Sequence, residues 1–123
     1  MALTRTVLKV AINALEDLKA NDIITLDVRK LTTVTDMMIL CSGRSTRHVK
    51  SIADNVEKFA KAKKIDVLSM QGEETSEWII VDLGSVLVHI MLPETRIFYD
   101  LEKLWQLPKR TRKKPEASAA SAE

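Results

Sequence analysis

Apolar residues recur at three- and four-residue spacing near the start of the chain. Leu3, Val7, Ala11, Ala14, Leu15 and Leu18 share one face of a helix. Thr4 is placed to cap its start, and Asn21 to take the left-handed turn that ends it. The period then changes to two. Ile24, Leu26 and Val28 alternate with Thr25 and Asp27, which predicts a strand over 23–28 with one polar face. A polar stretch with three threonines separates it from Met37–Cys41, a continuous apolar run suited to a strand buried on both faces. Ser42-Gly43-Arg44-Ser45-Thr46 reads as a turn, with Ser45 or Thr46 capping a second helix. Val49, Ile52, Ala53, Val56, Phe59 and Ala60 form the apolar face of that helix.

The second half of the chain is richer in strand signals. A short strand is expected over 66–70, then a polar loop around Gly72. Trp78–Leu83 and Val86–Leu92 are β-prone runs joined by Gly84-Ser85, a tight hairpin turn. Pro93 stops the last strand and suits the first turn of a helix, where Phe98, Leu101, Leu104 and Trp105 follow helical spacing. The expected order is α-β-β-α-β-β-β-α, an α/β fold with one mixed five-stranded sheet and helices packed on it.

Composition narrows the class. The 123 residues suffice for one domain, expected over 1–107. One cysteine, Cys41, excludes an internal disulfide and a Cys-cluster zinc site. No apolar run approaches the roughly 20 residues that span a bilayer, so no membrane association is expected. The N-terminus has no apolar core before a small-residue cleavage site, which leaves a cytoplasmic location as the expectation. The net charge of +2 hides a split. Residues 1–107 hold 14 basic and 15 acidic groups, whereas 108–123 hold five basic and two acidic ones. The segment 108–123 is expected to be a disordered basic tail, either solubilising or able to reach RNA phosphates.

Along the hairpin, Trp78, Ile80 and Asp82 point to one side of their strand, and Ile79 and Val81 to the other. On its partner, Leu87, His89 and Met91 oppose Val86, Val88 and Ile90. Both faces are largely apolar, and three helices do not obviously cover both. Four of the five aromatics fall between positions 78 and 105. Either these residues are core, or the hairpin and the segment after it form a protein-docking surface, since Trp, Tyr, Met and Arg are enriched at interfaces.

The candidate chemistry is sparse. His48 and His89 lack a paired metal-ligand spacing, so no metal or cofactor is expected. Cys41 closes an apolar run and reads as an inert buried thiol. The Ser42-Gly43 turn before a helix offers backbone N–H groups to an anion, but Gly43 reads first as a turn residue. Nucleotidyl transfer needs strand carboxylates for its metal ions, and no Asp-x-Asp is present. The residues alone leave open a nucleotidyltransferase-like phosphate- or RNA-binding protein.

Three separated regions resemble the iojap-like family, the ribosomal silencing factors. One runs from Asp36 to Val49, with Ser42-Gly43, Ser45 and His48-Val49. A second runs from Gly72 through Trp78, Asp82-Leu83-Gly84 and Val88-His89. The third and most specific is Arg96-Ile97-Phe98-Tyr99-Asp100-Leu101-Glu102-Lys103-Leu104-Trp105. Leu15–Ala20 and Asp22-Ile23 also fit, so the resemblance covers about residues 3–105. Met37-Met38 departs from it, where many relatives carry an aromatic residue.

The resemblance implies a nucleotidyltransferase-like fold without the catalytic carboxylates, and no enzymatic activity. It implies binding to the large ribosomal subunit through its ribosomal protein number fourteen. That contact blocks association with the small subunit and represses translation under nutrient limitation. It also implies a homodimer as a further assembly. On this chain the contact region would be the hairpin and terminal segment. Trp78, Met91 and Tyr99 are expected to supply contact area, Asp82 and Arg96 to set polarity at the rim, and His89 to hydrogen-bond. Leu101, Leu104 and Trp105 are expected to anchor the last helix to the sheet.

Overall fold

The computed structural model describes residues 3–99. The expectations for Asp100, Leu101, Leu104 and Trp105 and for the tail 108–123 lie outside them. The element order is α1 (Thr4–Asp17), β1 (Asn21–Asp27), β2 (Met37–Ser42), α2 (Thr46–Ala62), β3 (Ser69–Gln71), β4 (Trp78–Asp82), β5 (Val86–Met91) and α3 (Pro93–Tyr99). This is the expected α-β-β-α-β-β-β-α order. The strands form one mixed sheet in the order β1-β2-β5-β4-β3. Among the described strands only β2 and β5 pair in parallel; every other neighbouring pair is antiparallel. A parallel neighbour cannot be reached by a tight turn, so α2, β3 and β4 form the connection between β2 and β5.

β2 and β5 are interior strands, and both are buried over nearly their whole length. Their unbroken apolar runs fit that position, because an interior strand under packed side chains has no solvent face. α1 and α2 pack together on one face of the sheet, around Ile39, Cys41, Ile79, Val81, Val88 and Ile90. The buried Asn55 amide joins the two helices, donating to the Ala14 carbonyl at 2.9 Å and to Asp17 Oδ2 at 3.1 Å. Burying an amide requires such partners.

Several boundaries differ from expectation for local reasons. Leu3 is the N-cap of α1, with no side-chain cap. Thr4 instead donates through Oγ1 to Asp36 Oδ2 at 2.9 Å, tying the helix start to the loop before β2. The positive φ after α1 falls on Lys19 and Asp22, and Asn21 already begins β1. The strand expected over 66–70 is shorter and later, because Leu68 donates to the Asp82 carbonyl as a lead-in and the ladder starts at Ser69.

Candidate docking face

The turn from β2 into α2 sets one end of the sheet. Ser45 is the N-cap of α2, its Oγ accepting from the His48 N–H at 3.1 Å. His48 Nδ1 accepts from the Arg44 N–H at 2.9 Å, and its Nε2 donates to the Leu18 carbonyl at 2.7 Å. His48 thus bridges the start of α2 and the end of α1. Gly43 donates to the Met91 carbonyl at 3.0 Å and extends the β2–β5 ladder by one step. A Cβ on Gly43 would press against Val49. The N–H groups of Gly43 and Arg44 are therefore spent inside the fold rather than presented to an anion. Among the described residues no group of three or more His, Cys, Asp and Glu side chains is placed to hold a metal ion. Cys41 lies deep in the core, where burial pushes its thiol up to about 12.

The second face of the sheet carries a different cluster. Leu26, Val28, Met38, Leu40 and Met91 are its buried members, with Ile24, Trp78 and Leu87 packed against them half-buried. None of these residues comes from α1 or α2. Exposure rises across this face from β2 towards β4. Met38 and Leu40 are 2% and 0% exposed, whereas Trp78, Ile80 and Asp82 on β4 are half-buried. The strand register explains the grouping: Trp78 opposes Met91, Ile80 opposes His89, and Asp82 opposes Leu87.

The loop before β4 positions Trp78. Gly72 has φ +97°, and a Cβ there would overlap the Trp78 carbonyl oxygen, so no other residue fits without backbone movement. Ser76 donates to the Gly72 carbonyl at 3.0 Å, and Leu92 donates to the Glu77 carbonyl at 3.0 Å. The Trp78 indole Nε1 donates to His89 Nδ1 at 3.0 Å, with ring centroids 5.9 Å apart and tilted by 41°. At the other end of β4, Asp82 Oδ1 accepts from the Gly84 N–H at 2.8 Å, while Leu83 donates to the Val86 carbonyl at 2.9 Å. Gly84 takes φ +87°, as this hairpin turn requires.

The six residues expected at the contact surface therefore occupy different depths. Trp78 and Asp82 lie half-buried on the second face. His89 is beneath it, 6% exposed, bonded to Trp78 as expected of a hydrogen-bonding group. Two placements correct the expectation. Met91 is 0% exposed and fills the cluster below the surface, so it supplies packing rather than contact area. Arg96 is not a rim charge. It is 8% exposed, and its Nη1 donates to the Asp22 carbonyl at 2.8 Å and to Ser42 Oγ at 3.2 Å, strapping α3 to the ends of β1 and β2. Tyr99 ends α3, and its side chain lies outside the described residues. Ile80 and Leu87 complete the half-buried apolar patch. Their alternation with buried neighbours signals the same face, although neither carries a polar group that singles it out.

Comparisons with known proteins identify the family and the fold. The family model described as "Ribosomal silencing factor during starvation" matches residues 2–123, so the likeness extends through the basic tail. A ribosomal silencing factor from Chromobacterium violaceum is 47% identical over 97 residues, covering 79% of this chain and 80% of that protein. A crystal structure of a Chromobacterium violaceum protein superposes with a TM-score of 0.85 at 40% identity, covering 99% of this chain and 98% of that one. A mouse protein named "Mitochondrial assembly of ribosomal large subunit protein 1" is 35% identical, covering 78% of this chain and 43% of its own length. The chain belongs to the ribosomal silencing factor family.

Proposed function

We propose that the chain silences ribosomes sterically. It docks the β4–β5 half of its second sheet face on the large ribosomal subunit, at ribosomal protein number fourteen, and so excludes the small subunit. The observation that carries this reading is the half-buried apolar patch of Trp78, Ile80 and Leu87, on the face that α1 and α2 do not cover. An apolar patch with an aromatic anchor suits a protein partner better than a phosphate backbone. The family membership and the mouse relative's name, which refers to the large subunit, support the choice of partner. The mechanism makes and breaks no bond, so inhibition follows occupancy and not turnover.

Co-sedimentation with purified large subunits, small subunits and reassociating mixtures tests the reading. The expected result is pelleting with large subunits only, together with a stoichiometric loss of joined ribosomes. Pelleting with small subunits alone, or substoichiometric inhibition, would overturn it.

A further inference from the structure

The second sheet face holds one buried polar atom that the described fold does not satisfy. His89 Nδ1 accepts from the Trp78 indole at 3.0 Å. A ring nitrogen that accepts carries no proton, so the proton of the neutral ring sits on Nε2. Nε2 is buried without a hydrogen-bond partner. Its neighbours across the ladder, Leu40 on β2 and Ile80 on β4, have no side-chain oxygen. Burial pushes the imidazole down to about 4, so the ring stays neutral and the donor persists near neutral pH. A buried donor left without an acceptor is unfavourable, and native folds seldom retain one without a use.

We propose that His89 Nε2–H is a hydrogen-bond donor reserved for a carbonyl oxygen of the protein that docks on this face, with Trp78 as the positioning residue that fixes the tautomer. The inference rests on the docking reading above and adds the chemistry of the partner's central contact. A carbonyl fits better than a carboxylate or phosphate, because a charged oxygen would leave water for an apolar face with one neutral donor.

The test titrates large ribosomal subunits with the full-length chain and its His89→Asn and His89→Gln variants. Asn can still accept from Trp78 but has no group at the Nε2 position, whereas Gln places an amide N–H there. His89→Asn should bind about tenfold more weakly, the effect of one lost hydrogen bond to a buried donor. His89→Gln should recover most of that loss. Wild-type binding by folded His89→Asn, or equal weakening in both variants, would overturn the inference and leave the docking reading intact. Failure of the wild-type chain to bind large subunits would overturn both. Should His89→Asn not fold, nitrogen NMR of the wild-type imidazole decides. It should show the Nε2–H tautomer from pH 5.5 to 8, and an Nδ1–H tautomer would contradict the proposal.

Discussion

The two faces of the sheet are built from similar residues but finished differently. On the first, Ile79, Val81, Val88 and Ile90 disappear completely beneath α1 and α2. On the second, their immediate chain neighbours Trp78, Ile80 and Leu87 stay half-buried, with the His89 side chain bonded to Trp78 beneath them. One residue of displacement along a strand moves a side chain from one regime to the other. Composition alone does not separate a face buried under helices from a face left half-buried. Among the described residues, what separates them is that α1 and α2 lie over the first face and not over the second.

The largest expected contrast is in stability. Ile90→Ala empties a fully buried site under the helices and should cost about 2–5 kcal/mol in urea unfolding. Ile80→Ala, on the half-buried side, should cost about 1 kcal/mol or less. Equal losses would erase the distinction between the faces.

pH sharpens the contrast next. His89 titrates at about 4 in the folded chain because of its burial, against an ordinary value of 6.5. The unfolded chain therefore takes up this proton first as the pH falls. The stability linked to His89 is complete above about pH 6.5 and is lost progressively down to about pH 4, a change approaching about 3 kcal/mol. Asp27, held down to about 2 chiefly by its hydrogen bond from Arg29, titrates below that window. Urea midpoints measured from pH 7 to pH 4.5 should fall, and His89→Asn should remove most of the slope.

Smaller effects follow at the supports. Gly72→Ala forces a Cβ towards the Trp78 carbonyl at a positive φ and should destabilise by at least about 1 kcal/mol, with an altered Trp78 emission spectrum. Ser45→Ala removes the α2 cap on the opposite side and should cost about 1 kcal/mol with no change in ribosome binding.

The pattern of the chain made the elements legible because period fixes direction. The 3.6-residue repeat marked α1 and α2, and the alternation in β4 and β5 correctly assigned Trp78 and Ile80 to one face and Ile79 and Val81 to the other. Depth was not legible. Met91 shares a face with Trp78, yet it sits on β5 at the centre of the sheet while Trp78 begins β4, one strand nearer the edge. That difference arises from strand order, which periodicity does not encode. Arg96 misled for a related reason: its charge suggested solvent, but the Asp22 carbonyl and Ser42 hydroxyl, 74 and 54 positions away, satisfy it in the interior. Cap positions also escaped, because Thr4 found a distant carboxylate in place of its own helix N-terminus.

The central claim is that the second face meets the ribosome and the helix face does not. Pelleting with large subunits, comparing Ile80→Glu on the second face with Lys58→Glu on the exposed side of α2, tests it most directly. With both variants folded by circular dichroism, Ile80→Glu should lose at least about tenfold in affinity, because a buried interfacial charge lacks a partner, while Lys58→Glu binds as wild type. Wild-type binding by Ile80→Glu together with loss in Lys58→Glu would place the contact on the helices and contradict the account.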